Sequence, residues 1–61
     1  GVSFASYLEM QRISSAEAQL KKGKLVQEVA EEVGYNSDYS FRRAFKRVTG
    51  VTPSEYQKMY G

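Results

Sequence analysis

Val26-Gln27-Glu28-Val29-Ala30-Glu31-Glu32-Val33-Gly34-Tyr35-Asn36-Ser37-Asp38-Tyr39-Ser40-Phe41-Arg42-Arg43-Ala44-Phe45-Lys46-Arg47 holds two segments of helical apolar spacing divided by one glycine. In the first, Val26, Val29, Ala30 and Val33 fall on one side and Gln27, Glu28, Glu31 and Glu32 on the other, which predicts a helix over about 26–33. Gly34 ends it, because glycine takes positive φ without steric cost. Ala30, four residues before that glycine, is small enough to let the next helix cross closely. Ser37 with Asp38 supplies a polar start for a second helix over about 38–48.

The faces of that second helix separate by angle. At about 100° per residue from Phe41, the side chains of Phe41, Ala44, Phe45 and Val48 cluster within about 60° of a common direction, the core face. Tyr39, Arg43 and Lys46 lie about 140–200° away, with Arg42 on one flank and Ser40 and Arg47 on the other. The exposed ridge is therefore aromatic, basic and hydroxylated. Two helices with a tight turn between them, the second basic, match the way proteins fill a DNA major groove.

Upstream, Ser3 can cap a helix over about 4–22 whose apolar positions, Phe4, Tyr7, Leu8, Ile13, Ala16 and Leu20, form one stripe. Lys21 and Lys22 complement the negative end of its dipole, and Gly23 follows as a left-handed cap. Ser14 and Ser15 are weak helix formers, so packing has to hold that turn. Downstream of the Thr49-Gly50-Val51 turn, Thr52-Pro53-Ser54-Glu55 is a strong signal for a further helix. Thr52 caps, Pro53 takes the first helical position, and Glu55 returns a bond to the cap residue. Tyr56, with Met59 or Tyr60, is expected to pack back on the core. No repeat, low-complexity stretch or linker interrupts the chain.

Charge is distributed unevenly. Residues 1–40 carry four cations against six acids, net −2, whereas residues 41–61 carry five cations against Glu55 alone, net +4. A localised positive face is the footprint expected for a polyanion partner, although the same face can simply keep a small domain soluble. At 61 residues the chain allows one domain, with roughly 60% of its unfolded surface buried and little room for an internal active site. Without cysteine or histidine it lacks thiolate and imidazole metal ligands and the commonest general base. Neither a nucleophile–base pair nor a ligand set stands out, so no catalytic residue, metal or cofactor is expected. Glu28, Glu31 and Glu32 are better read as a solvated face than as an acid pair. No apolar run approaches the ~18 residues of a membrane span, and Gly1-Val2-Ser3-Phe4 does not resemble a signal peptide. No membrane partner is expected, and a cytoplasmic location fits.

The run Val29-Ala30-Glu31-Glu32-Val33-Gly34-Tyr35, then Ser37, Phe41 and Arg43-Ala44-Phe45-Lys46-Arg47, then Thr49-Gly50-Val51-Thr52-Pro53-Ser54-Glu55-Tyr56, closely resembles the signature of AraC/XylS-type bacterial transcription regulators. Tyr7-Leu8, Arg12, Ile13, Ala16 and Leu20 look like the linker helix of the same domain. The resemblance implies an all-α, helix-turn-helix fold, a small homeodomain-like bundle with a long N-terminal helix. It divides the chain into a linker helix at 1–23 and the second of two helix-turn-helix units at 24–61. Gly1-Val2-Ser3-Phe4 resembles the segment after the first unit's recognition helix. The chain is accordingly expected to be a fragment carrying about half the family's DNA surface.

Under that resemblance the partner is double-stranded DNA, and Tyr39, Ser40 and Arg43 occupy positions that reach bases. Arg43 leads, because a guanidinium can bind guanine O6 and N7 bidentately; its bland alternative is an ion pair with a glutamate of the preceding helix. Tyr39 either packs on a thymine methyl, bonds a phosphate, or is partly buried. Arg42, Lys46 and Arg47 are assigned to phosphates, and Ser37 to a phosphate at the helix start or to a cap alone. Asp38 places a carboxylate where it can accept from a cytosine amino group or repel phosphate. Gln57 departs from the family, which often has an arginine after the tyrosine. RNA polymerase contact and homodimerisation through a domain absent from this chain stay open. So does a rival reading, a helical protein-interaction module whose basic face meets an acidic partner.

Overall fold

Four helices follow one another in the computed structural model, which describes residues 3–60: α1 (Phe4–Lys21), α2 (Val26–Glu32), α3 (Asp38–Thr49) and α4 (Pro53–Tyr60). No strand occurs among the described residues, so the all-α expectation holds. Gly1 and Val2, expected to end a preceding unit, lie outside the described residues, as does Gly61.

The helix starts form where the local chemistry places them. The Ser6 amide donates to Ser3 Oγ at 3.2 Å, and the Ser40 amide donates to Ser37 Oγ at 3.2 Å. At α4 the exchange is reciprocal: the Glu55 amide donates to Thr52 Oγ1 at 3.1 Å and the Thr52 amide to Glu55 Oε1 at 3.0 Å. That backbone bond is the main cause holding the Glu55 carboxyl below its usual range. The ends of α1 and α2 are closed in the same way. Gly23 and Lys24 donate to the carbonyls of Leu20 and Gln19, and Gly34 and Tyr35 to those of Glu31 and Ala30. Gly34 needs φ +97°, and a Cβ there would sit 3.5 Å from Arg12 Nε, so the turn between α2 and α3 suits glycine on both counts.

The core gathers Ile13, Ala16 and Leu20 of α1, Val29, Ala30 and Val33 around α2, Phe41, Ala44 and Phe45 of α3, and Tyr56 of α4. Helix α1 packs against all three other helices. Through the core runs a chain of aromatic rings, Tyr35, Phe41, Phe45, Tyr56 and Tyr60, with successive centroids 5.6, 5.7, 5.4 and 4.6 Å apart. Cations of α1 cover its two ends. Arg12 lies 5.7 Å from the Tyr35 ring centroid, and Lys21 lies 5.4 Å from that of Tyr60.

Three apolar expectations need correction. Phe4, Tyr7 and Leu8 are exposed, so only the C-terminal part of the α1 stripe enters the core. An 18-residue helix is about 27 Å long, more than the shorter α2, α3 and α4 can cover. Val48 points along the core direction of α3 but is 40% exposed, because it sits in the last turn beside an open cleft with Met59 and Tyr60. Met59 is exposed too, and Tyr60 touches the core only by stacking on Tyr56.

One bond that the local spacing does not announce ties the two ends of the chain. The Gln57 side-chain amide donates to the carbonyls of Leu20 at 3.2 Å and Lys24 at 2.7 Å, closing the C-terminal end of α1 from α4. Replacing Gln57 by Ala leaves these half-buried acceptors without their donor, at an expected cost of ~1–2 kcal/mol. In a domain this small, each kcal/mol lowers the melting midpoint by about 4–8 °C, so a thermal melt followed by circular dichroism checks it. An unchanged midpoint would show that the bond contributes nothing net.

Candidate nucleic-acid interface

Helix α3 separates its faces as the wheel requires. Phe41 and Phe45 are fully buried, whereas Tyr39, Ser40, Arg42, Arg43, Lys46 and Arg47 are all exposed on the outer side. The buried phenylalanines fix the rotation of the helix, and rotation decides which residues face out. Tyr39, at 68% exposure, is not tucked against the core.

Arg43 has its own local support. Its Nη1 donates to the Tyr39 hydroxyl at 3.2 Å, and its guanidinium carbon lies 5.6 Å from the Tyr39 ring centroid. The two are four residues apart on one helix face, so they are natural neighbours. Tyr39 therefore limits the rotamers of Arg43 while leaving most of the guanidinium donors facing outward. The ion pair with a glutamate of α2 does not form; in α2, Glu32 pairs instead with Lys24 at 2.9 Å.

Ser37 acts as the cap of α3. Its oxygen accepts the Ser40 amide, and its hydroxyl donates to Ser40 Oγ at 3.2 Å. Both functions of the Ser37 hydroxyl are thus engaged within the helix start, whereas the Ser40 hydroxyl proton stays available to an outside acceptor. Asp38 lies in the first turn beside them.

Arg42 and Lys46 stand free of any ion pair among the described residues, but Arg47 does not. Its Nε donates to Glu9 Oε1 at 3.3 Å and its Nη2 pairs with Glu9 Oε2. Glu9 belongs to α1, 38 residues away, and no local spacing pointed to it. Its carboxylate lines a shallow cleft of about 320 Å³ with Tyr35, Tyr39, Ser40, Arg43, Ala44 and Arg47. Partial burial is the main reason the Tyr35 hydroxyl titrates above its usual value, with the Glu9 charge adding to it and Arg12 and Arg47 opposing. This surface joins one aromatic ring, two free cations, a poised arginine and a free hydroxyl along about two turns of helix. Such a convex basic ridge can enter a groove of nucleic acid; it cannot enclose a small substrate. Among the described residues no cluster of acidic, histidine or cysteine side chains could hold a metal, and no helix is long and apolar enough to cross a membrane.

Comparison with known proteins agrees with the geometry. A family model described as a helix-turn-helix domain matches residues 1–59. The arabinose operon regulatory protein of Escherichia coli is 38% identical over 58 residues, covering 93% of this chain and 20% of that protein. The transposon Tn10 TetD protein of Escherichia coli is 37% identical over 95% of this chain and 43% of its own length. A putative AraC-like transcription regulator of Streptomyces lividans is 42% identical over 85% of this chain and 17% of its own. The chain thus spans less than half the length of these relatives. No solved structure matches it significantly. The helix-turn-helix match over nearly the whole chain and the regulators that resemble it place this protein in the AraC-type helix-turn-helix family of DNA-binding transcription regulators.

Proposed function

We propose that this chain binds double-stranded DNA sequence-specifically by laying α3 in the major groove, as the second of two helix-turn-helix units in a longer bacterial regulator, with α1 as the linker between them. The single observation that carries the groove assignment is the outward ridge of α3, where Arg43 braced on Tyr39 lies between Arg42 and Lys46 on an otherwise rigid, buried helix. Arg43, Tyr39 and Ser40 contact base edges. Ser37, Arg42, Lys46 and Arg47 face the phosphates, with Ser37 offering only the amides it organises, since its hydroxyl is engaged. The chain performs no catalysis of its own and needs no cofactor; it acts in the cytoplasm, where the DNA is. Contact with RNA polymerase and dimerisation belong to the longer protein.

Few phosphates fall within reach of one such helix, so affinity is weak and its salt dependence shallow. Two or three neutralised phosphates give a slope of log K against log salt of roughly −2 to −3, at about −0.9 each. Lys46→Ala is expected to weaken binding to all duplexes alike and to reduce the slope by about 0.9. Fluorescence anisotropy with a random-sequence duplex over a salt series measures both. Absence of binding at low salt, or binding indifferent to salt, would remove the DNA assignment. Chemical-shift mapping should place the perturbed amides between Tyr39 and Arg47.

A further inference from the structure

We infer that Glu9 is an internal competitor for phosphate: by holding Arg47 across the face between α1 and α3, it withdraws one of the four cations of α3 from DNA and sets the strength of sequence-independent binding. The inference rests on the DNA-binding proposal above and assigns it a regulator that lies off the recognition helix.

Arg47 and Glu9 meet through two separate nitrogen–oxygen contacts, Nε to Oε1 and Nη2 to Oε2, the fork arrangement that a guanidinium also uses for phosphate. The Glu9 side chain is 26% exposed and that of Arg47 65%, so the carboxylate is sheltered at the cleft wall and the guanidinium lies over it toward solvent. An isolated surface pair is worth only ~0.2–1 kcal/mol, but a bidentate and partly sheltered one lies at the upper end of what such pairs achieve. A DNA phosphate must displace a carboxylate that already satisfies the same donors. The exchange is close to even, and Arg47 releases little counterion on binding. Glu9 also adds a negative charge to a cleft it shares with Tyr39, Ser40 and Arg43, beside the groove-facing ridge. Arg43 keeps its own support from Tyr39, so base preference does not depend on the pair.

The test compares the wild type, Glu9→Gln, Arg47→Ala and the double variant on a random-sequence duplex over a salt series, with thermal melts to show that each is folded. Glu9→Gln preserves shape and should tighten binding a few-fold at low salt while steepening the log–log slope by about 0.9, one additional phosphate. Arg47→Ala alone should leave the slope nearly unchanged and should abolish the gain when combined with Glu9→Gln. A slope that falls by about 0.9 for Arg47→Ala in the wild-type background would overturn the inference, because Arg47 would then already be neutralising phosphate. So would a Glu9→Gln gain that survives in the Arg47→Ala background, since net charge alone would explain it. If the wild type binds no duplex, the DNA-binding proposal fails by itself. Elution of the same four proteins from heparin then decides on Glu9, with later elution of Glu9→Gln dependent on Arg47 supporting it and any other order rejecting it.

Discussion

Replacing Phe45 by alanine is expected to unfold the domain at room temperature. Phe45 is fully buried, with its ring centroid 5.7 Å from that of Phe41 and 5.4 Å from that of Tyr56, so it links α3 to α4 at the middle of the aromatic chain. Truncating a buried phenylalanine typically costs ~3–5 kcal/mol, from lost transfer energy and from the cavity left behind. A 61-residue domain has only roughly 3–9 kcal/mol of stability, at ~0.05–0.15 kcal/mol per residue. The loss is therefore of the same size as the whole. No disulfide is present to limit the unfolded chain, because the sequence contains no cysteine. Circular dichroism should show a largely non-cooperative melt and reduced helix content. Tyr39→Ala, on the exposed side of the same helix, should shift stability by no more than about 0.5 kcal/mol. A cooperative transition for Phe45→Ala at the wild-type midpoint would show that the ring is not where stability resides.

The contrast between those two substitutions was readable from residue types and a 100° step, because the rotation of an amphipathic helix is a local property. The same holds for the caps at Ser3, Ser37 and Thr52 and for the turn at Gly34, each set by residues within one helical turn. Periodicity does not say how far a partner extends along a face. Phe4, Tyr7, Leu8 and Val48 have the correct phase and still lie in solvent, beyond the reach of the neighbouring helices. Long-range polar pairs were equally invisible. Gln57 looked like a departure from a DNA-contacting arginine, yet its amide closes the end of α1. Arg47 looked like one more phosphate ligand, yet α1 presents it with Glu9. Both depend on how α1 crosses the other helices. The nearest hint in the sequence was that Glu9 is the one acid in the first half of α1.

Arg43→Ala should remove most of the base preference while leaving the fold intact. Arg43 is exposed, so its loss creates no cavity, and any change in melting midpoint should stay small. Its planar fork, held along the Tyr39 ring, is suited to the paired acceptors of a guanine edge, a contact worth ~1–3 kcal/mol of discrimination. The expected outcome is a drop of about 5- to 150-fold in the ratio between the preferred duplex and one changed at a single base pair. The preferred duplex would be obtained by selection from a randomised pool. Random-sequence binding should fall far less, because phosphate attraction is carried by Arg42 and Lys46. Arg43→Lys should keep the charge yet lose most of the discrimination, since an ammonium cannot reproduce the fork. Tyr39→Phe separates bracing from contact: removing only the hydroxyl that accepts from Arg43 should loosen the guanidinium and weaken discrimination by a smaller factor than Arg43→Ala. If instead Arg43→Ala weakened preferred and random duplexes equally, Arg43 would be a phosphate ligand, and base recognition would have to rest on Tyr39 and Ser40.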